Sequence, residues 1–148
     1  MEGKWIKDDV LEAYYDMFYY DYVFARAKET LMSLYSNHIP TINKILRALQ
    51  RAFPNDYVAV LEDYQAPDFL LCINFDADYA VAVQIISRSN EFIYGTFWIV
   101  FRDDKMYLDF GDFANKEVEN KVFETIKKAV RLEKVFEHRW GIRIYRVF

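Results

Sequence analysis

Apolar positions recur along this chain first at helical and then at strand spacing, and the changes of period mark out its elements. From Asp8 to about residue 35 there is no Pro or Gly, and the stretch begins on Asp8 and Asp9, which favour the positive end of a helix macrodipole. The spacing predicts one long helix. Its wheel places Asp8, Asp9, Glu12 and Asp16 on one narrow arc, while Leu11, Tyr14, Met17, Phe18 and Tyr22 spread over most of the remainder, so the helix is apolar over more than a single stripe. Ser36-Asn37-His38-Ile39-Pro40 is a break, and Pro40 suits the first turn of a second helix because its missing N–H is not needed there. Ile42, Ile45, Leu46, Leu49, Ala52 and Phe53 follow at helical spacing with Lys44, Arg47 and Arg51 opposite, and Pro54 ends the element.

From Tyr57 the period becomes that of strands rich in β-branched and aromatic residues, over about 57–64, 69–76, 79–87, 92–102 and 106–110. The links between them, Ala66-Pro67-Asp68, Asp76-Ala77-Asp78, Ser87 to Asn90 and Asp103-Asp104-Lys105, are too short for parallel crossovers, so a five-stranded antiparallel meander is expected. Asn115 is placed to cap a third helix, with Glu117 and Glu119 in its first turn and Val118, Val122, Phe123, Ile126 and Val130 along its buried face. Leu132 to Trp140 fits either a continuation of that helix or another strand. Ile142 to Val147 reads as a final strand, with Arg143 facing away from Ile142 and Ile144. No repeat or Ser/Gly-rich linker divides the chain. The expected fold is therefore a single α+β domain over residues 1–148, in which three helices pack with a mostly antiparallel sheet of five to six strands in the order ααβββββαβ.

Composition supports a folded core and narrows the setting. Apolar residues are 53% and charged residues 28%, a balance that excludes a disordered chain. Aromatics reach 19%, with 12 Tyr among them, and tyrosine is the ring expected to show at the surface because its hydroxyl prefers a polar partner. The lone cysteine, Cys72, lies in an apolar run and reads as a small buried thiol in a reducing compartment. The longest apolar run, Phe92 to Phe101, is about half a membrane span, and the N-terminus lacks the apolar stretch of a secretory signal. A cytoplasmic protein without membrane insertion is expected.

The net charge of −4 is unevenly placed. Residues 1–25 carry 6 acids and 2 bases and residues 54–112 carry 11 acids and 3 bases, whereas residues 26–53 and 113–148 are each basic. This asymmetry, more than the sum, points to surfaces of opposite sign.

Candidate chemistry is sparse. His38 and His138 have no second His or Cys at ligand spacing, and Cys72 has no nucleophile partner, so no metal, cofactor or catalytic residue is expected. Asp76 and Asp78 flank Ala77 at a strand junction, a place where paired carboxylates can hold Mg²⁺, but neither a Gly-Ser element nor a calcium-loop continuation accompanies them, and a solvated turn is the simpler reading. Asp109-Phe110-Gly111 spells a kinase tripeptide in a chain lacking the other kinase elements, and reads as a strand-ending turn. Pro67-Asp68 entering a strand, with the order αβββαβ around it, resembles the opening of the PD-(D/E)xK nuclease motif. The resemblance covers about half the chain and implies an acid and a lysine two apart on the next strand. Here that strand carries Gln84 and Ile86, which would make the chain a degenerate relative.

Two surfaces remain. The run Tyr14 to Phe24 interleaves tyrosines with Asp16 and Asp21, and Glu12, Tyr15, Asp16 and Tyr19 share one arc, an arrangement suited to a basic protein partner because Tyr is enriched at binding hot spots and Asp supplies charge complementarity. Packing on both sides of a central helix would use the same residues. Lys127, Lys128, Arg131, Lys134, Arg139, Arg143 and Arg146, interleaved with Trp140 and Tyr145, could instead attract nucleic-acid phosphates. The expected activity is that of a small acidic, non-enzymatic binding protein of inhibitor or immunity type, analogous to phage-encoded or toxin-neutralising proteins, that blocks a basic, nucleic-acid-handling protein surface. Nucleic-acid binding through the basic C-terminal element is the alternative.

Overall fold

A computed structural model describes residues 21–63, 77–90, 92–113, 115–137 and 143–148. The expected calls on Glu12, Tyr15, Asp16, Tyr19, Asp68, Cys72, Asp76, His138, Arg139 and Trp140 lie outside the described residues.

Helix α1 (Asp21–Leu34) is followed by a single 3₁₀ turn over Ser36–His38 and by α2 (Ile39–Ala52). In α2 the apolar spacing does what it predicts: Ile42, Ile45, Leu46 and Leu49 are buried, Lys44, Arg47 and Arg51 are exposed, Pro40 sits in the first turn, and the Phe53 N–H closes the last turn on the Leu49 carbonyl. Helix α3 (Lys116–Ala129) starts where Asn115 Oδ1 accepts the backbone N–H groups of Glu117 at 2.7 Å and Val118 at 3.3 Å, satisfying two donors the helix itself cannot pair. Helices α2 and α3 pack against each other on one side of the sheet. None of the described helices is long and apolar enough to cross a membrane.

The sheet comprises β1 (Asp56–Asp63), β2 (Tyr79–Ser87), β3 (Ile93–Arg102), β4 (Lys105–Phe113), β5 (Leu132–Glu137) and β6 (Arg143–Val147), all antiparallel, in the order β1-β2-β3-β4-β6-β5. The chain is thus α+β, and among the described residues it has three α-helices and a six-stranded antiparallel sheet. β1 pairs directly with β2, from Asp56 opposite Ser87 to Asp63 opposite Ala80, and the expected strand 69–76 lies outside the described residues. Of the ambiguous stretch after α3, residues 132–137 form a strand, β5, because the backbone at Val130 is already extended (φ −141°, ψ 160°) and β6 offers an edge to pair with.

Alternation along the strands sorts side chains onto two faces. Toward the helices, Val58, Val81, Val83, Phe97, Ile99, Phe101, Leu108, Phe110 and Tyr145 join the helical stripes in the main core. The high aromatic content is used here: Phe97 stacks on Phe110 at 5.3 Å, and Phe110 meets Phe123 and Tyr145 edge-on at 5.8 and 5.9 Å. On the opposite face Ala80, Val100 and Ile144 form a smaller buried cluster with Trp98, Tyr107 and Phe136 packed against it.

The tripeptide Asp109-Phe110-Gly111 is not a strand-ending turn. It lies inside β4, with Asp109 opposite Trp98 on β3 and Ile144 on β6, because pairing with β3 continues through a bulge at Thr96/Phe97 as far as Gly95 opposite Phe113. A Cβ built on Gly95 would lie 2.2 Å from Cδ1 of Phe113, so the ring covers the space that only glycine leaves open. Gly95→Ala is expected to destabilise the fold by about 1–3 kcal/mol through displacement of that ring, readable as a lower urea midpoint at unchanged m-value.

Candidate functional site

Three carboxylates of the acidic middle stretch meet at one corner of the sheet. The tight β3–β4 turn holds both Asp103 (φ 52°) and Asp104 (φ 60°) in the left-handed region, which a two-residue hairpin demands and which Asp tolerates better than most residues. Asp78, at the entrance to β2, joins them by accepting the Asp103 backbone N–H through Oδ2 at 2.9 Å. The turn after α1 closes the corner from the other side: His38 Nε2 lies 2.8 Å from the Asp104 carbonyl and 3.6 Å from its Oδ1, and the Asn37 amide donates to Asp104 Oδ2 at 3.5 Å.

The carboxylates nevertheless remain wet. The Asp103 and Asp104 side chains are 81% and 71% exposed, and Asp78 is exposed as well. Behind them Tyr35 stacks on Phe101 at 4.0 Å and on Tyr79 at 5.6 Å. Burial, and then the fields of Asp78 and Asp104, raise the Tyr35 phenol above its ordinary range, so the ring keeps its proton and can donate. The local charge is tempered by Arg102, whose Nε is 3.9 Å from Asp103 Oδ2, and by exposed Lys105. Leu34, one residue before Tyr35, is 65% exposed. The corner thus combines wet carboxylates with aromatic rings, next in sequence to a large exposed aliphatic side chain. Among the described residues no three His, Cys, Asp or Glu side chains gather so as to hold a metal ion.

Comparison with protein families, curated proteins and solved structures finds no match. Pro67-Asp68, which carry the resemblance to the PD-(D/E)xK nucleases, lie outside the described residues; where that motif needs an acid and a lysine, Gln84 is half-buried and Ile86 is packed in the main core.

Among the described residues, the basic side chains of the C-terminal part do not form one surface. Lys127, Lys134 and Arg143 line a cavity between α3 and the β5–β6 hairpin. Arg146 alternates to the other face of β6, where its guanidinium lies 4.5 Å from the Phe148 ring, and Arg131 approaches the same ring at 5.1 Å. Lys128 is exposed on α3. The acids that answer these bases are local ones: Arg143 Nη2 donates to Glu119 Oε2 at 2.6 Å, Lys116 Nζ lies 3.3 Å from the other oxygen of Glu119, and Lys134 Nζ donates to Glu137 at 2.7 Å. That last bond raises the Lys134 amine and lowers the Glu137 carboxyl, both at the exposed surface.

The sequence places Asp103 and Asp104 only in a turn and Glu119 only in the first turn of the third helix. The signal for Glu119 was present, because it precedes Val122 by three and Ile126 by seven and so shares their buried stripe. No local signal joins Asp78 to Asp103, which are 25 positions apart.

Proposed function

We propose that this chain is a small non-enzymatic binding protein, of inhibitor or immunity type, that occupies a basic, nucleic-acid-handling surface of another protein in the cytoplasm. The observation that carries the reading is the exposed corner of Asp78, Asp103 and Asp104, in which two carboxylates are held forward at positive φ beside Tyr35 and Tyr79. Exposed carboxylates of this kind steer a cationic partner and fix its orientation, while aromatic and aliphatic groups beside them supply contact area. Glu12, Tyr15, Asp16 and Tyr19, the partner contacts expected from the sequence, lie outside the described residues and share this acidic and phenolic composition.

The test compares wild type with the triple variant Asp78→Asn/Asp103→Asn/Asp104→Asn, which keeps the acceptor for the Asp103 N–H and the tolerance of positive φ. After capture and identification of the partner from the native host, wild type is expected to associate about tenfold or more faster than the variant at low salt, with the gap closing as salt rises. It is also expected to inhibit the partner's action on nucleic acid. Equal association rates for the two proteins, or capture of nucleic acid instead of protein, would reject the reading.

A further inference from the structure

We propose that the cavity between α3 and the β5–β6 hairpin is a binding site for a nucleotide phosphate, independent of the acidic corner. It measures about 420 Å³ and is lined by Phe123, Lys127, Leu132, Lys134, Arg143 and Tyr145, a size within the range of small-ligand sites. The register explains why these residues converge. Phe123 and Lys127 are one helical turn apart on α3, Lys134 lies directly opposite Tyr145, and residues 132 and 134 of β5 face the helices together with 143 and 145 of β6.

Three cations therefore surround an aromatic wall. Arg143 is the fixed one: a single Nη is taken by buried Glu119, its guanidinium lies 5.4 Å from the Phe123 ring and 5.9 Å from Phe110, and the rest of its five-donor fork has no acid partner among the described residues. Glu119 acts here as a positioning residue. Lys134 is held only by the exposed bridge to Glu137, a kind of pairing weak enough for a phosphate to displace. Lys127 has no acid partner among the described residues, and its amine rests 5.8 Å from the Phe123 ring. Counting Glu119 and Glu137 against the three bases leaves the site positive in a chain whose net charge is −4.

The walls select among anions. Phe123 and Tyr145 lie 5.0 Å apart and tilted, and Leu132 completes an apolar flank. A bare phosphate would use the cations and leave these rings idle. A phosphate joined to a nucleobase uses both, the base against the rings and the phosphate between Lys127, Lys134 and Arg143.

The experiment titrates the full chain with adenosine 5′-monophosphate, inorganic phosphate and a short single-stranded oligoadenylate. Affinity is measured by calorimetry, and location by amide NMR shifts on wild type. The mononucleotide is expected to bind saturably, with shifts centred on Phe123, Lys127, Leu132, Lys134, Arg143 and Tyr145, and inorganic phosphate is expected to bind about tenfold more weakly. The variant Lys127→Ala/Lys134→Ala removes two exposed side chains and should lose about tenfold or more in mononucleotide affinity. Oligoadenylate binding that is tighter than the mononucleotide and falls more steeply with salt would identify a strand as the natural source, and equal or weaker binding would identify the free nucleotide. Absence of saturable mononucleotide binding, shifts centred elsewhere, or unchanged affinity in the variant would overturn the proposal.

Discussion

Replacing Asp109 by Asn is expected to stabilise this protein at pH 7 by roughly 2–4 kcal/mol and to remove most of the pH dependence of its stability between about pH 4 and pH 8. The side chain is fully buried on the sheet face away from α2 and α3, between Trp98 and Ile144, and both of its oxygens lack a hydrogen-bond partner among the described residues. Burial raises the carboxyl to about 8 by penalising its ionised form. An unfolded chain titrates the same group near 3.9, so between the two values the folded state holds a proton that the unfolded state releases. Stability from this group is therefore complete below about pH 4 and falls as pH rises toward 8, at a limiting slope of about 1.4 kcal/mol per pH unit. Asn keeps the shape and cannot ionise. Urea midpoints for both proteins across this pH range check the prediction, and parallel curves would refute it.

The second large effect concerns the Glu119–Arg143 pair. Arg143→Met is expected to cost about 3 kcal/mol, because Glu119 has only 5% of its side chain exposed and, among the described residues, would keep only the exposed Lys116 as a partner. The double variant Glu119→Leu/Arg143→Met should recover most of that loss, since Leu continues the stripe formed by Val122 and Ile126 and no charge is left stranded. Thermal denaturation is a sufficient readout, as about 3 kcal/mol corresponds to roughly 6–12 °C in a chain of this size. A single variant within about 0.5 kcal/mol of wild type would show that the pair carries little of the fold.

Both effects arise from ionisable groups on apolar faces, and each illustrates how far the sequence could be read. The helices over 39–52 and 116–129 and the strands over 79–87 and 93–102 were legible because their signals are local: a 3.6 or 2.0 period, a capping Asn115, a Pro40 and a Pro54 placed at boundaries. Asp109 gave no such signal. Its neighbours Leu108 and Phe110 belong to the main core, so alternation places Asp109 on the other face, which in many antiparallel sheets is wet. Here that face is closed as well.

What the sequence by itself determined is much of the inventory: the helices over 39–52 and 116–129, the strands over 56–63, 79–87, 93–102 and 105–113, that the sheet is antiparallel, and that acid and base lie in separate parts of the chain. Only the tertiary structure decided which of these meet. It paired β1 with β2 and made a strand of residues 132–137. It sent Arg143 and Arg146 to opposite faces of one strand, and it brought Asn37 to Asp104 across 67 positions. The physical reason is that period and capping energies act within a turn or a few residues. Ion pairing, desolvation and strand partnership instead depend on what packs opposite, which side-chain spacing along the chain does not encode.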